Sequence, residues 1–169
     1  GVVVIGGGFV GEKAATTAAG MGARVTLFEI NDKRLSELTH ILKTILGEKL
    51  FSNVEILKPD GNASDSAYSR AIADADLLVG AVLIKGTKAP QVVSEAQVAT
   101  MKKGAVIVDV AIDQGGCIWG SKATSHSDPI YHINGAIYCC VANMPGQVAR
   151  QSTQALTNAT LPYLVEMAN

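Results

Sequence analysis

The chain has 169 residues, a formal net charge of −1 and 48% hydrophobic residues, with few aromatic side chains. This length and apolar content predict one domain with a sizeable core, and the near-neutral charge argues against a nucleic-acid partner. The apolar runs are too short to span a membrane. The three cysteines cannot all pair with one another, which favours reduced thiols and a cytoplasmic protein. Neither CxxC spacing nor a histidine cluster accompanies Cys139 and Cys140, so we expect no metal site.

Short apolar runs typical of buried parallel strands alternate with helical stretches along the chain. The predicted strands are Val2–Ile5, Val25–Phe28, Val54–Leu57, Leu77–Leu83, Ala105–Val110 and Ala136–Val141. The predicted helices are Val10–Met21, Asp32–Leu46, Ser66–Ala73, Glu95–Met101 and Gln147–Met167. This alternation predicts an α/β fold, a doubly wound parallel sheet of the Rossmann type with six strands in the order 3-2-1-4-5-6. A ligand of such a sheet lies across the carboxyl ends of the strands.

A glycine-rich turn, Gly6-Gly-Gly-Phe-Val-Gly11, joins the first predicted strand to the first predicted helix. Gly6 allows the tight turn, Gly8 lets the backbone approach a pyrophosphate, and Gly11 lets the helix pack close to the strand. The pyrophosphate would then lie at the positive end of the helix. The turn therefore predicts a dinucleotide-binding site.

An acidic residue, Glu29, ends the second predicted strand. Its distance along the chain from Gly11 is typical of a carboxylate that accepts hydrogen bonds from the adenosine ribose hydroxyls. Such a carboxylate also repels a 2′-phosphate, which favours NAD over NADP. The alternative is that Glu29 caps the next helix. Arg34 complicates the choice, because a guanidinium close to the ribose would soften the rejection of NADP.

The loop after the fourth predicted strand begins with the small pair Gly80-Ala81. These residues would let the backbone of Val82 and Leu83 approach a cofactor, which a bulkier strand end would prevent. Lys85 and Lys88 follow, and we interpret them as solvated rather than catalytic because nothing indicates the burial that lowers a lysine pKa.

The loops after the fifth and sixth predicted strands carry candidate reactive groups. Asp113, which precedes a glycine pair, would face the nicotinamide and take or give a proton or orient a substrate ammonium. The alternatives are that Asp113 caps a turn and that Asp109 is a strand-end residue held by backbone amides. Asn143 can hydrogen-bond a carboxamide or substrate, and Met144 offers a soft apolar surface.

Four segments, GAVLIKGTKAP, VIVDVAIDQGG, VANMPG and QALTNATLPYL, together resemble the NAD-binding domain of alanine dehydrogenase, and the similarity covers essentially the whole chain. The resemblance implies reversible NAD-dependent oxidative deamination of L-alanine to pyruvate and ammonia by a homohexamer. It implies that Asp113 is the carboxylate beside the nicotinamide and that Glu29 is the ribose-binding acid, where many relatives carry Asp. Lys122 stands where an arginine is common. The cofactor-binding residues that the turn and the resemblance imply are Gly6, Gly8, Phe9, Val10, Gly11, Glu29, Arg34, Val82, Leu83, Val110, Ala111, Ile112, Asp113, Lys122, Val141, Ala142, Asn143 and Met144.

Two alternative functions stay open from the sequence. The NAD(H)-binding module of a proton-translocating transhydrogenase shares the fold and the loop after the fourth strand, but it carries a different acidic motif after the fifth. AIDQGG and ANMPG therefore favour the dehydrogenase. A methyltransferase also pairs a glycine turn with an acid after the second strand, but the later loops do not fit one.

The chain begins inside its first predicted strand, so we expect a piece of a longer protein in which residues 1–169 form the dinucleotide-binding domain. The resemblance implies an amino-terminal domain that holds the substrate arginine, a lysine and the catalytic histidine. We expect the last helix, about 147–167, to pack on that domain, and we expect the isolated fragment to be inactive. His40, His126 and His132 are interpreted as surface residues.

Overall fold

A single sheet with helices against both faces organises the chain. The structure is a computed structural model that describes residues 1–61, 64, 66–84 and 86–168. Its strands are β1 (Val2–Ile5), β2 (Val25–Phe28), β3 (Val54–Leu57), β4 (Leu77–Gly80), β5 (Val106–Asp109), β6 (Ile130–Ile133) and β7 (Ala136–Cys139). Its helices are α1 (Phe9–Gly20), α2 (Asp32–Phe51), α3 (Ala67–Asp74), α4 (Glu95–Ala99) and α5 (Ala149–Ala168). Short 3₁₀ helices cover Val110–Gln114 and Met144–Val148.

The strand order is β3-β2-β1-β4-β5-β7-β6, with β6 antiparallel to β7 and every other neighbouring pair parallel. The doubly wound Rossmann-type sheet is therefore confirmed, and the six predicted strands lie in the predicted order. The predicted count of six was wrong by one, because the described residues contain a seventh strand, β6, at the edge of the sheet.

The additional strand belongs to a hairpin that the strand prediction overlooked. Asn134 and Gly135 join β6 to β7 with φ values of 53° and 85°. An Asn-Gly pair is the preferred sequence for a two-residue hairpin turn with left-handed backbone at both positions. Ile130–Ile133 is short and alternates exposed with half-buried side chains, so it lacks the continuous apolar pattern of the parallel strands.

The later strands end sooner than predicted, because the chain turns into loops at the carboxyl edge of the sheet. β4 ends at Gly80 rather than Leu83, and β7 ends at Cys139 rather than Val141. In α2, Gly47 adopts φ 68° and interrupts the helix where the predicted helix ends, and one further turn then continues to Phe51. The predicted last helix is divided into the 3₁₀ helix Met144–Val148 and α5.

Successive side chains of the central strand enter two different cores. Val4 is buried with Leu27 and with Leu38 of α2 on one face of the sheet. Val3 is buried on the other face with Ile72 of α3 and Val98 of α4. Each fully buried aliphatic side chain contributes about 2 kcal/mol. The two layers fix the sheet and thereby bring the loops that follow its parallel strands to one edge.

Helix α5 differs from the other helices because none of its described residues is buried. Its apolar side chains Leu156, Leu161 and Leu164 are all more than half exposed. α5 therefore adds no residue to the buried core, and Ser152 Oγ links it to the 3₁₀ helix Met144–Val148 by a hydrogen bond to the Pro145 carbonyl oxygen at 2.9 Å.

Candidate dinucleotide-binding site

Two positions of the glycine turn between β1 and α1 have no room for a side chain, because a Cβ there would meet backbone atoms. Gly6 has φ 97°, and a Cβ added to it would lie 2.6 Å from the carbonyl oxygen of Ala81. A Cβ on Gly11 would lie 1.8 Å from the carbonyl oxygen of Gly6. Gly8 has open space around it and begins α1 without a side-chain cap. The open Gly8 backbone and the free N–H groups of the first turn of α1 can therefore receive an anion.

The middle glycine, Gly7, is held from both sides and was missed by the sequence analysis. Its N–H donates to Glu29 Oε2 at 2.8 Å, and its carbonyl oxygen accepts from Arg34 Nε at 2.7 Å. A Cβ at this position would lie 2.5 Å from Leu38 Cδ1 and 2.9 Å from Glu29 Oε2, so a larger residue would displace these two side chains. The sequence feature that could have identified Gly7 is the uninterrupted glycine triplet, which has one glycine more than the dinucleotide-binding fingerprint needs.

Glu29 lies at the carboxyl end of β2, where its side chain turns back toward the glycine turn. Besides Gly7, its carboxylate accepts hydrogen bonds from the N–H groups of Ile30 and Asn31, both on Oε1. The N-cap of α2 is Asn31, whose side chain accepts from the Arg34 N–H. The alternative in which Glu29 itself caps this helix is therefore wrong.

Arg34 is tied to α1 by an ion pair that the sequence analysis did not identify. Its Nη2 lies 2.7 Å from Glu12 Oε2, and its Nη1 lies 3.4 Å from Oε2 of the more exposed Glu37. Glu12 is only 7% exposed. The hydrogen bond from Lys13, assisted by Arg34, lowers the pKa of Glu12 against the opposing effect of burial. Glu12 is therefore a charged partner of the Arg34 guanidinium at neutral pH.

A cavity of about 750 Å³ opens at the carboxyl ends of β1, β2 and β4. Its lining includes the predicted residues Gly6, Gly8, Phe9, Val10, Glu29, Val82 and Leu83. Ile30 and Ile84, which the sequence analysis did not select, line it as well and are 74% and 47% exposed. Apolar side chains exposed around a concave site suit the flat ring of a nucleotide base.

A second depression, of about 600 Å³, lies at the opposite edge of the sheet. It is lined by residues at the amino ends of the strands, among them Arg24 and Asn53, and by none of the predicted site residues. Ligands of doubly wound sheets bind at the carboxyl edge. We therefore assign the candidate site to the first cavity.

Asp109, at the end of β5, is fully buried and shapes the loop that follows. Its carboxylate accepts hydrogen bonds from the N–H groups of Ala111, Cys117 and Ile118 and from Ser121 Oγ, at 3.1, 2.7, 3.0 and 2.6 Å. The interpretation of Asp109 as a strand-end residue held by backbone amides is confirmed. Burial, and then the charge of Asp109, raise the pKa of the Cys117 thiol to about 12.

Asp113 lies in the 3₁₀ helix Val110–Gln114 and is exposed. Its Oδ1 accepts a hydrogen bond from the Asn143 N–H at 3.2 Å, so the loops that follow β5 and β7 meet at this carboxylate. Asn143 has φ 51°, a left-handed conformation that asparagine tolerates. The two polar residues predicted to face the reaction are therefore neighbours at the same edge of the sheet as the glycine turn.

The other predicted site residues lie in the same two loops and not in the lining of the 750 Å³ cavity. Ala111, Ile112 and Val141 are buried, Val110, Ala142 and Met144 are half-buried, and Lys122 is exposed. The Lys122 N–H donates to Tyr131 Oη at 2.7 Å, and this fixes its backbone.

The described part of the chain also tests the remaining predictions, which concern the histidines, the cysteines, two lysines and membrane-spanning helices. His40, His126 and His132 are exposed, as predicted, and His126 Nδ1 lies 2.8 Å from Gln147 Nε2. The cysteines are free thiols. Lys88 is exposed, whereas Lys85 lies outside the described residues. Among the helices that the structure describes, we find none with the length and hydropathy to cross a membrane.

The similarity of the chain to known proteins indicates its family. The sequence profile of the family described as "Alanine dehydrogenase/PNT, C-terminal domain" matches residues 1–169. The chain is 46% identical over 168 residues to an alanine dehydrogenase from Halomonas elongata and 48% identical over 169 residues to one from Methanococcus maripaludis. Each alignment covers 99% of the chain but 42% of the relative.

Solved structures agree with this result. An L-alanine dehydrogenase superimposes with a TM-score of 0.83 at 47% identity, over 99% of this chain and 43% of the other. A transhydrogenase from Sinorhizobium meliloti superimposes with a TM-score of 0.76 at 24% identity, over 98% of this chain and 44% of the other, and this likeness supports the fold alone. The chain belongs to the alanine dehydrogenase/PNT C-terminal domain family.

Proposed function

We propose that the chain is the NAD-binding part of an alanine dehydrogenase. The reaction converts L-alanine, water and NAD⁺ to pyruvate, ammonium, NADH and a proton. The family membership and the relatives named alanine dehydrogenase support this substrate. The chain spans 42% of the length of those relatives, so the proposal covers a longer protein of which this chain is one domain.

The observation that carries the proposal is the carboxylate of Glu29 beside the glycine turn and at the wall of the 750 Å³ cavity. A carboxylate has about four lone-pair positions. Gly7 occupies one on Oε2, and Ile30 and Asn31 occupy two on Oε1. Oε2 therefore keeps capacity for a ribose hydroxyl donor, and its charge disfavours a 2′-phosphate. The residues present thus fit NAD.

The remaining parts of the cofactor have matching surfaces in the same cavity and edge. The N terminus of α1 at Gly8 would hold the pyrophosphate, and Ile30 and Ile84 would contact the adenine ring. The backbone at Val82 and Leu83 would lie along the cofactor between the glycine turn and the loops after β5 and β7. Bound NAD⁺ supplies the hydride acceptor.

Asp113 and Asn143 would act where the hydride leaves the alanine Cα. The exposed Asp113 carboxylate can orient the substrate ammonium and accept a proton as the imine forms and is hydrolysed. Asn143 donates its backbone N–H to Asp113 and keeps its side-chain amide for the nicotinamide carboxamide or the substrate. Asp113 is therefore the proposed catalytic residue.

The rest of the protein would supply the substrate-binding domain and the assembly. The exposed apolar side chains of α5 support packing of this helix on that domain. We propose a cytoplasmic homohexamer for the complete enzyme, and no turnover by the isolated domain, because the substrate arginine, lysine and histidine that the resemblance implies belong to the other domain.

The transhydrogenase alternative has weaker support. Relatives named alanine dehydrogenase are 44–48% identical to the chain, whereas the transhydrogenase structure is 24% identical. The methyltransferase alternative has no support from the family, because the whole chain matches the alanine dehydrogenase/PNT C-terminal domain.

Fluorescence titration of the chain with NADH tests the proposed function. Glu29→Ala should weaken NADH binding by about tenfold or more, because the ribose loses a charged hydrogen-bond acceptor. Glu55→Ala is the matched control, since Glu55 is exposed on β3 and lines the depression at the opposite edge. Equal NADH affinity in both variants would overturn the assignment of Glu29, and no NADH binding by the unsubstituted chain would overturn the proposed function.

A further inference from the structure

We propose that Glu12 determines cofactor specificity by keeping the Arg34 guanidinium from a 2′-phosphate. The inference rests on the proposed function, because it concerns the same adenosine ribose site. Glu29 would repel the phosphate directly, and Glu12 would act through Arg34. Glu12 is thus a positioning residue that touches neither the ribose nor the phosphate.

Arg34 and Glu29 bind the same residue of the glycine turn. Glu29 Oε2 and Arg34 Nε bind the N–H and the carbonyl oxygen of the same residue, Gly7, at 2.8 and 2.7 Å. A ribose whose hydroxyls reach Glu29 therefore places its 2′-substituent within a few ångströms of the guanidinium. Arginine is the side chain best suited to bind phosphate, because its planar fork presents paired N–H donors.

The guanidinium fork of Arg34 is already occupied by two carboxylates. Nη2 donates to Glu12 Oε2 at 2.7 Å, and Nη1 lies 3.4 Å from Glu37 Oε2. The two carboxylates are not equivalent, because the side chain of Glu12 is 9% exposed and that of Glu37 is 45% exposed. An ion pair sheltered from water is screened less than an exposed one. Glu12 therefore provides most of the compensation of the Arg34 charge.

Three lysines of α1, α2 and the segment after β3 are paired with carboxylates as well. Lys13 Nζ lies 2.8 Å from Glu12 Oε1, so one carboxylate compensates two cations. Lys33 and Lys58 are paired with Glu37 and Asp32 at 4.0 and 2.9 Å. Each of these cations thus has a carboxylate partner within the domain, and removal of Glu12 would leave the charges of Arg34 and Lys13 without their shared partner.

The test is the ratio of the NADPH and NADH dissociation constants of the chain, measured by fluorescence titration. Glu12→Gln keeps the shape of the side chain, and its amide oxygen can still accept from Nη2, but the negative charge is lost. We expect the ratio of the NADPH to the NADH dissociation constant to fall by about tenfold, because an arginine paired only with the exposed Glu37 then faces the 2′-phosphate. Adding Arg34→Ala to Glu12→Gln should abolish this gain and thereby separate Arg34 from Lys13.

Glu37→Gln is the matched control, since it removes the same charge from the exposed side of the same guanidinium. Its ratio should change less than about twofold. A change in Glu12→Gln no larger than that in Glu37→Gln would overturn the inference while leaving the NADH-binding proposal intact. Failure of the unsubstituted chain to bind NADH would overturn both.

Arg34→Ala alone provides a test that does not depend on the folding of Glu12→Gln, which circular dichroism would monitor. If Glu12 already neutralises Arg34, loss of the Arg34 side chain should change the ratio much less than Glu12→Gln does, because the remaining Glu12 carboxylate stays paired with Lys13. A selective loss of NADPH affinity, by more than about threefold, would mean that Arg34 already binds the phosphate in the unsubstituted chain and would contradict the inference.

Discussion

The carboxyl edge of the sheet has two parts, the glycine turn and the loops after β5 and β7, and the carboxylates in these parts have different roles. Around the glycine turn, Glu29 both fixes the loop, through three backbone N–H groups, and lines the cavity. Around the loops after β5 and β7, these roles are divided between two residues. Asp109 is fully buried and fixes the loop, whereas Asp113 is exposed and accepts one bond from Asn143. The division leaves the proposed catalytic carboxylate open to a substrate while Asp109 holds the loop by hydrogen bonds.

The largest effect on stability should come from breaking that support. Asp109→Asn puts an amide NH₂ opposite the N–H groups of Ala111, Cys117 and Ile118, so at least one buried donor loses its acceptor. We expect the free energy of unfolding to fall by about 3 kcal/mol in urea denaturation. Asp128→Asn, in an exposed loop, is the control and should stay near zero. A loss below about 0.5 kcal/mol for Asp109→Asn would contradict its structural role.

Asp113→Asn should have little effect on stability and a large effect on turnover. Because Asp113 is exposed, the free energy of unfolding should change by less than about 0.5 kcal/mol. In the complete enzyme, turnover of L-alanine should fall by about two powers of ten with little change in NADH affinity, because the carboxylate acts at the reacting carbon. Steady-state kinetics and NADH titration measure the two quantities. Unchanged turnover would remove Asp113 from the mechanism.

Two glycines in α1 test how closely this helix packs on the glycine turn. A Cβ at Gly11 would lie 1.8 Å from the Gly6 carbonyl oxygen, whereas a Cβ at Gly20 would meet nothing within 4 Å. Gly11→Ala should therefore destabilise the chain by about 2 kcal/mol through overpacking and weaken NADH binding. Gly20→Ala should stabilise it by about 0.5–1 kcal/mol. Thermal unfolding with and without NADH measures both, and similar shifts for the two variants would contradict the close packing of α1 on the turn.

The sequence was sufficient to predict the parts of this edge that depend on local patterns. The parallel strands are apolar runs because both of their faces are buried, and Gly6 and Gly11 follow from the turn itself. The role of Glu12 could not be predicted in this way, because its contact with Arg34 requires α1 and α2 to lie side by side. The edge strand Ile130–Ile133 was missed although its Asn-Gly turn was a usable signal.

The smallest expected effect is on the pH dependence of the unfolding free energy, through the buried Cys117 beside Asp109. The pKa of Cys117 is raised to about 12, mainly by burial, whereas an unfolded cysteine ionises near pH 8.5. The neutral thiol thus favours the folded state, and this contribution is complete below pH 8.5 and is lost as the pH rises toward 12. Tyr68 and Tyr138 add effects of the same sign, because burial raises the pKa of each.

Cys117→Ala should therefore make the decline of the unfolding free energy between about pH 9 and 11 shallower, by up to about one proton in slope. Cys139→Ala, at a half-buried position, is the matched control. Urea denaturation at several pH values gives the slopes. Identical slopes for the two variants would show that Cys117 does not contribute to the alkaline loss of stability.

We propose that one dinucleotide lies along the carboxyl edge, from Glu29 to Asn143. Amide ¹H–¹⁵N NMR spectra of the chain during an NADH titration test this placement. We predict joint, saturable shifts at Gly8, Ile30, Val82 and Asn143. Shifts confined to Arg24, Asn53 and their neighbours in the depression at the amino edge would contradict the account.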